Sequence, residues 1–335
     1  MKKILQISLK ILLGLITFLA VVYFLGPTPP KPNFTKPSFE NALSLAALEQ
    51  SVIETEKREP NIKQGNEATI VWADSIKKAK TKVVFLYLHG FGASHHEGYP
   101  VNIDVAKQFG SNLFLARLFD HGIENGEDNL ARFNAEDYAQ SGERALHIAK
   151  QLGDSVVILA TSGGGAMALF LASRHPEIKG LITYSPAIRL FKKESFLLSG
   201  PWGLQIARTV FGKNHNDWAY ENPDQKYYWT NHQRLESIVQ FGVFLKYAMI
   251  PETFQQIHCP LFLGYFYEDE ENQDKVVSVE AMREMYGQVA TPPQYKREKV
   301  FPKANSHVIA SNLTSKTWQD VEVESVKFIK EVLGM

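Results

Sequence analysis

Short β-rich runs alternate with helical stretches from about Ala68 onward, and this alternation constrains the fold more than any other feature of the chain. Such an alternation is typical of a mostly parallel sheet that is covered by helices on both faces. The sequence therefore predicts an α/β domain. The candidate strands are Thr69–Ala73, Val83–Leu88, Asn112–Ala116, Ser155–Leu159, Leu181–Ser185, Leu261–Tyr267 and Lys296–Phe301. The clearest helices are Ala135–Leu152, Gly163–His175 and Ser315–Val332.

The alternation breaks once, between Ser185 and Pro260. This long stretch is rich in aromatic residues and contains no convincing strand. Long insertions between strands are usually functional elements on the surface, such as lids. We therefore expect a mostly helical cap at about 189–257, inserted before the next strand and lying over the strand ends.

Residues 1–26 form the most strongly biased segment. Lys2 and Lys3 precede an apolar run from Ile4 to Leu25, and a helix of about 20 such residues can cross a membrane. Because the basic residues come first, the body of the protein is expected to face away from the cytosol, in the periplasm or outside the cell. A cleaved secretory signal, which would release a secreted protein, is the alternative, although no A-x-A-like cleavage site follows the run.

Two further segments separate this run from the domain. Residues 27–37 are rich in proline, which favours an extended linker. Within Ser38–Lys57 an amphipathic helix is predicted by the spacing of the apolar residues Leu43, Leu45, Leu48 and Ile53. We therefore expect a helical lead-in over 38–67 and one domain over 68–335.

The overall charge and the cysteine content exclude several classes of site. Lys and Arg together number 36, as do Asp and Glu, so the chain lacks the basic character of a nucleic-acid-binding protein. We therefore expect no nucleic-acid partner. The single cysteine, Cys259, has no partner for a disulfide or a thiolate zinc site.

A serine lies on a tight turn between a predicted strand and a predicted helix, in Ala160-Thr161-Ser162-Gly163-Gly164. Small residues two before and two after the serine are what such a turn requires, and the helix N-terminus then lies under the hydroxyl. Ser162 is thus a candidate nucleophile. A glycine-rich nucleotide loop is the alternative, but that loop follows the first strand of its fold and needs an acid about 20 residues later, which this sequence lacks.

A second glycine-flanked turn, His89-Gly90-Phe91-Gly92, ends the most apolar strand. Acyl transfer needs backbone N–H donors for the oxyanion that forms on the substrate. The amides of Phe91 and Gly163 are the candidate oxyanion hole, and His89 is expected to hold the loop by hydrogen bonds.

A serine hydroxyl needs a histidine to accept its proton and an acid to orient that histidine. His307 lies in a polar loop between the last predicted strand and the last helix, where it can reach the strand ends. The acid should follow Leu261–Tyr267, where five carboxylates crowd one loop. Asp274 is favoured because an apolar pair follows it, and Asp269 is the alternative.

With these elements in order, the chain resembles the α/β-hydrolase superfamily, in its branch of monoglyceride-lipase-like, lysophospholipase-like and serine aminopeptidase-like enzymes. The resemblance covers roughly Ala68 to Leu333 and includes an R-x-x-GHG-like segment at Arg117–Gly122, in which Asp120 replaces a glycine. Asp274-Lys275-Val276-Val277 is similar to the D-x-x-V acid loop of this branch, although about five more residues than usual precede it.

The resemblance implies two-step acyl transfer through Ser162, His307 and Asp274, with no metal or organic cofactor. We expect a carboxylic ester hydrolase acting on an apolar, small-molecule or lipid ester, close to a membrane. The alternatives are an aminopeptidase-like amide hydrolase and a non-catalytic binding module on the same fold. The sequence leaves the natural ester and the oligomeric state open.

Overall fold

The computed structural model describes residues 2–39 and 42–335. The strands are β1 (Thr69–Val71), β2 (Thr81–Leu88), β3 (Asn112–Leu115), β4 (Gly153–Thr161), β5 (Gly180–Tyr184), β6 (His215–Asp217), β7 (His232–Arg234), β8 (Leu261–Tyr265) and β9 (Lys296–Val300). The α-helices are α1 (Lys2–Phe24), α2 (Leu45–Arg58), α3 (Val101–Gln108), α4 (Ala135–Leu152), α5 (Gly163–Ala172), α6 (Gly203–Phe211), α7 (Leu235–Ala248), α8 (Pro251–Phe254), α9 (Val279–Gln288) and α10 (Trp318–Val332). Short 3₁₀ helices span His95–Gly98, Gly126–Asp128, Lys193–Ser199, Pro223–Tyr227 and Pro293–Tyr295.

Seven strands form one sheet in the order β1-β3-β2-β4-β5-β8-β9. Only β1 pairs antiparallel with its neighbour, and the other pairs are parallel. All seven strands predicted from the sequence belong to this sheet, so the predicted α/β fold class is confirmed. The carboxyl ends of β2, β4, β8 and β9 therefore lie along one edge, where open parallel sheets usually bind their ligands.

The sheet has an apolar core on each face because alternate side chains of a strand point to opposite sides. In β2, Leu86 and Leu88 enter the core that is covered by α4 and α5, whereas Phe85 and Tyr87 enter the core with α3 and α10. Burial of one such leucine or phenylalanine stabilises the fold by roughly 1.5–3 kcal/mol. This double burial explains the continuous apolar sequence of β2.

The insertion between β5 and β8 contains α6, α7, α8 and a small antiparallel ribbon of β6 and β7. The ribbon was not predicted, because its strands have three residues each and are polar. α7 packs against the main body of the domain, with Phe241 and Phe244 in the core shared with α4 and α5. Part of the aromatic content of this segment therefore belongs to ordinary core packing.

The N-terminal helix α1 is apolar and exposed. Its residues Ile4–Phe24 are long and apolar enough to cross a membrane, with a mean hydropathy of 2.3. The proline-rich stretch that follows lies along the domain, where the Phe34 ring packs against Phe170 at 5.1 Å between centroids.

The lead-in helix α2 begins later than Ser38, the predicted start. Ser44 caps it by accepting a hydrogen bond from the Ala47 N–H, as a serine at a helix N-cap commonly does. Residues 40 and 41, which fall inside the predicted helix, lie outside the described residues.

Candidate active site

Ser162 occupies the turn between β4 and α5 at the carboxyl edge of the sheet. Its backbone has φ 52° and ψ −116°, a sparsely populated conformation that costs on the order of 1–3 kcal/mol. Two hydrogen bonds hold the turn: the Ser162 N–H donates to the Tyr184 carbonyl at 2.9 Å, and the Ser162 carbonyl accepts from the Ala187 N–H at 2.9 Å. Neighbouring main chain therefore holds this strained serine in the tight strand-to-helix turn that the sequence pattern predicted.

Close backbone packing explains the small residues around the serine. A Cβ atom on Gly164 would lie 2.1 Å from the Leu88 carbonyl oxygen, and a Cβ atom on Gly165 would lie 2.7 Å from the Pro186 side chain. Neither position can hold a larger residue without a shift of the chain. The turn and the end of β2 are thus pressed together at this edge.

The same approach brings the Phe91 loop to the serine turn. A Cβ atom on Gly163 would lie 3.0 Å from the Phe91 amide nitrogen, and one on Gly90 would lie 3.1 Å from the Ser162 Cβ. The structure therefore brings together Phe91 and Gly163, the residues proposed from the sequence as paired N–H donors.

His307 and Asp274 form a hydrogen-bonded pair beyond the ends of β9 and β8. The Nδ1 atom of His307 lies 2.6 Å from Oδ2 of Asp274. Oδ1 of Asp274 accepts the N–H groups of Val276 and Val277 at 2.9 and 3.0 Å. These contacts direct the other nitrogen of the ring, Nε2, away from the carboxylate. Among the described residues this buried Nε2 has no hydrogen-bond partner.

Asp274 is only 1% exposed, and two opposing effects act on the pKa of its carboxyl group. Burial alone would raise the pKa, but the nearby His307 charge, the hydrogen bond from His307 and the two backbone N–H groups lower it below its ordinary value. The carboxyl is therefore ionised at neutral pH and favours a proton on Nδ1 of His307.

Asp269, the alternative acid, lies elsewhere. It is exposed, and its carboxylate accepts hydrogen bonds from the backbone of Glu271 and Asn272 within its own turn. That turn belongs to a small excursion closed by a bridge between Tyr267 and Gln273. Because the excursion returns the chain to the end of β8, the extra residues before Asp274 do not displace it.

Two buried side chains, His89 and Glu97, brace the Phe91 loop through hydrogen bonds. The His89 ring contacts the Gly90 carbonyl at 2.9 Å and accepts the Leu118 N–H at 3.0 Å. Burial, together with the nearby His121 charge, lowers the pKa of His89, so the ring is neutral. It acts as a tether between two loops, which agrees with the role predicted for it.

Glu97 is the second brace, and sequence analysis did not single it out. Its carboxyl accepts the Gly90 N–H and is almost fully buried. Burial raises its pKa to about 8, against the hydrogen bonds from Gly90 and Tyr87, which lower it. The carboxyl is therefore largely protonated at neutral pH. Its only sequence signal is an acid within the loop that follows β2.

The insertion also contacts this loop. The Thr230 N–H donates to the Gly92 carbonyl at 2.8 Å, and Gln233 of β7 lies against Gly92, which has φ +73°. A side chain at position 92 would be strained by this positive φ, and it would also clash with the Gln233 amide. These contacts depend on the folded insertion, so local sequence could not reveal them.

One edge of the sheet thus carries a serine, an imidazole paired with a carboxylate, and the backbone amides of two adjoining turns. These are the groups that acyl transfer requires.

Elsewhere, among the residues described, one cluster has the composition of a metal site: Glu127, His215 and His232. It contains none of the groups named at the sheet edge.

Comparison with known proteins places these features in a family. The family model described as serine aminopeptidase, S33, matches residues 79–258, which is more than half of the chain. A thermostable monoacylglycerol lipase from Bacillus sp. (strain H-257) is 30% identical over 103 residues, a region that spans 31% of this chain and 40% of the relative.

Solved structures share the fold. The structure reported for the metagenome-derived lipolytic enzymes LipS and LipT superposes with a TM-score of 0.64 at 16% identity, covering 81% of this chain and 99% of that one. A soluble variant of the monoglyceride lipase from Saccharomyces cerevisiae has a TM-score of 0.58 at 16% identity, covering 79% of this chain and 91% of that one. The seven-stranded sheet with its flanking helices is the α/β-hydrolase fold, and the chain belongs to the serine aminopeptidase S33 family of hydrolases.

Proposed function

We propose that this protein is a serine hydrolase that cleaves carboxylic esters, with Ser162 as nucleophile, His307 as general base and Asp274 as the acid that orients it. The observation that carries the proposal is the 2.6 Å contact between His307 and the buried Asp274 at the sheet edge that also holds Ser162. That contact orders one imidazole nitrogen and leaves the other free to accept a proton.

The reaction would proceed in two steps. His307 takes the hydroxyl proton of Ser162 at Nε2 while the serine oxygen attacks the ester carbonyl. The imidazolium then donates this proton to the departing alcohol, which leaves an acyl group on Ser162. In the second step His307 activates a water molecule that attacks the acyl group and releases the acid.

The amides of Phe91 and Gly163 would bind the oxyanion formed in each step. In a water-excluded site one such donor typically contributes about 10²–10³ in rate. The strained Ser162 turn and the two braces, His89 and Glu97, hold these donors in place before substrate arrives. Such preorganisation is what makes them effective.

We infer an apolar acyl group for the substrate. The Phe91 ring stacks on Phe241 at 4.7 Å and meets Phe133 edge-on at 5.1 Å between centroids, which gives the loop an apolar flank. Two similar proteins, a monoacylglycerol lipase and a monoglyceride lipase, are named for the same class of substrate.

We further propose that residues 1–26 anchor the enzyme in a membrane, with the domain at 68–335 outside the cytosol. The exposed apolar helix α1 supports the anchor, and Lys2 and Lys3 before the apolar run support the orientation. A lipid ester would then be available at the surface where the enzyme is held. In this proposal 27–37 is the linker, 38–67 is the lead-in, and about 189–257 forms the cap.

A substrate panel tests the proposed reaction class. The full chain in detergent micelles is given p-nitrophenyl esters of rising acyl length, monoacylglycerols and aminoacyl anilides, with Ser162→Ala as the control. We expect ester cleavage that depends on Ser162 and is faster than anilide cleavage. Faster cleavage of the anilides would favour the aminopeptidase alternative. That alternative needs acids in the insertion to bind the free amine of a substrate, and Asp217, one of the few acids there, is already paired with Lys213 and His232.

A further inference from the structure

A second group of chemically active side chains lies on the ribbon of the insertion, apart from the residues proposed for ester cleavage. His215 of β6 and His232 of β7 stack with their ring centroids 4.0 Å apart. In the antiparallel register His215 pairs with Arg234 and Asp217 pairs with His232, so the two histidines are diagonal neighbours on one face of the ribbon.

Glu127 completes the group from the other side. It lies in the 3₁₀ turn Gly126–Asp128, which precedes α4 in the main body of the domain. Its Oε2 atom is 3.5 Å from Nε2 of His215 and 3.5 Å from Nε2 of His232. Two imidazole nitrogens and one carboxylate oxygen therefore lie within 4.8 Å of one another.

The hydrogen bonds of His232 leave one of its two ring nitrogens available to a cation. Nδ1 of His232 contacts the Asp217 carboxylate, which can only accept a hydrogen bond, so Nδ1 carries a proton. Loss of any proton from Nε2 would then give that atom a lone pair for a metal ion. That Nε2 is buried and lacks a hydrogen-bond partner among the residues described here. It faces the Glu127 carboxylate, a second acceptor, and a positive ion between them would satisfy both.

The distances fit a metal ion better than a direct hydrogen bond. A charge-assisted N–H···O bond is about 2.7–2.9 Å long, whereas both N···O separations here are 3.5 Å. Zinc bonds of about 2.0–2.1 Å in a tetrahedral arrangement place neighbouring ligand atoms roughly 3.3–3.4 Å apart. The two N···O separations match that spacing. The imidazole rings stack with 21° between their planes, so they must rotate apart for both Nε2 lone pairs to point at one ion.

We propose that Glu127, His215 and His232 bind one divalent transition-metal ion, with Zn²⁺ as the best match, and that water fills the fourth position. Imidazole and carboxylate ligands suit Zn²⁺. Asp217 acts behind His232 as the carboxylate that fixes its tautomer, an arrangement common around zinc. Before the ion binds, the His215 Nε2–H donates to the Glu127 carbonyl at 2.8 Å, and binding releases this proton to solvent.

Such an ion would fasten the ribbon to the main body of the domain. The Arg234 N–H already donates to the Asn129 carbonyl at 3.1 Å, beside the Glu127 turn. From the same ribbon Gln233 lies against Gly92, next to Phe91. The ion would therefore hold in place a segment that packs on the proposed oxyanion loop.

The test is zinc binding by the untagged full chain in detergent micelles, after chelator treatment, followed by equilibrium dialysis and by Co²⁺ absorption spectroscopy. We expect one Zn²⁺ per chain and the intense visible bands of tetrahedral Co²⁺. His232→Gln should abolish both, and Asp217→Asn should weaken binding by about 10–100-fold. His258→Gln and Glu252→Gln, which alter exposed residues outside the ribbon, are the matched controls and should bind like the wild type.

Thermal unfolding shows whether each variant is folded. In chelator, His232→Gln should unfold at about the wild-type temperature, and added Zn²⁺ should raise the midpoint of the wild type alone. Absence of stoichiometric binding by the wild type, or equal binding by His232→Gln, would overturn the proposal. Serine labelling needs no metal, so this result is independent of the proposed esterase activity.

Discussion

Asp274 holds a negative charge in a buried position, and its contacts determine what the neighbouring imidazole can do. Its pKa is lowered because the His307 charge and three hydrogen bonds outweigh the effect of burial. The stability that these contacts contribute is therefore present above the ordinary aspartate pKa of 3.8 and is lost as the pH falls through the lower pKa of the folded state.

Replacement of this acid tests its role. Asp274→Asn should lower kcat/KM for an ester by roughly 10³–10⁴, because an amide can stabilise neither the required tautomer of His307 nor its imidazolium form. Asp269→Asn is the matched control and should keep near wild-type activity, since that residue is exposed and bonds only within its own turn. Steady-state kinetics would contradict the assignment if the control lost activity and Asp274→Asn kept it.

Glu97 allows a pH-dependent prediction. The folded chain keeps this proton up to a pKa of about 8, whereas an unfolded chain loses it near 4.5. Between these values the folded state binds more protons, so this group lowers the free energy of unfolding as the pH rises. Glu97→Gln removes that dependence, and its stability relative to the wild type should increase from pH 5 to pH 8, on the order of a few kcal/mol at most.

Chemical denaturation of the full chain in micelles at several pH values measures this difference. Glu252→Gln, at an exposed glutamate, should follow the wild type at every pH. A curve for Glu97→Gln that runs parallel to the wild-type curve would show that Glu97 is ionised throughout.

At the scale of elements, the junction of β4, the Ser162 turn and α5 depends on backbone atoms that touch. Gly164→Ala would place a methyl group 2.1 Å from the Leu88 carbonyl oxygen, and relief requires movement of β2 or α5. We expect a loss of about 3 kcal/mol or more in the free energy of unfolding, together with reduced activity.

Gly287→Ala in α9 provides the matched control. A methyl group there meets no described atom within 4 Å, and alanine favours a helix over glycine by up to about 1 kcal/mol. The two substitutions should therefore shift the unfolding midpoint in opposite directions. Equal effects would mean that the approach of Gly164 to Leu88 does not exist in solution.

The main strands could be predicted because their apolar runs reflect burial on both faces of the sheet. Their ends differed by one or two residues, since hydrogen bonding to neighbours sets them. The β6–β7 ribbon could not be predicted, because three polar residues carry no periodic signal and the pairing joins residues far apart in the chain. Likewise, nothing in the local sequence shows that Phe241 packs against the domain core.

The candidate site likewise contains residues that the sequence could predict and residues that it could not. The turns at Ser162 and Phe91 have local signatures, because small residues are required wherever backbones touch. The signature of the acid is weaker: the apolar pair after Asp274 favours it over Asp269, but only the fold shows where the excursion from Tyr267 to Gln273 leaves the two residues. The importance of Glu97 depends on burial, which no short motif encodes.

At the scale of the whole molecule, the N-terminal segment contacts the insertion. The Trp202 indole N–H donates to the Val22 carbonyl at 3.0 Å, and the Trp202 backbone N–H donates to the Pro27 carbonyl at 2.8 Å. If α1 lies in a membrane, these contacts place the insertion beside the membrane surface. The anchor would then both retain the enzyme and orient it.

The anchor proposal predicts that the mature protein keeps its first 26 residues and stays in the membrane fraction after an alkaline wash. Intact-mass measurement of the protein isolated from cells checks the first point. A variant that lacks residues 2–26 is the control and should appear in the soluble fraction. Loss of about the first 25 residues from the wild-type protein would instead identify a cleaved signal.

The central claim, that Ser162 is an activated nucleophile, is tested most directly by labelling the folded full chain with a fluorophosphonate probe. We expect one label per chain, located on Ser162 by peptide mass spectrometry, and no label in Ser162→Ala or His307→Ala. A folded wild-type protein that takes up no label, or takes it up on another residue, would contradict the proposed mechanism and favour a non-catalytic binding role.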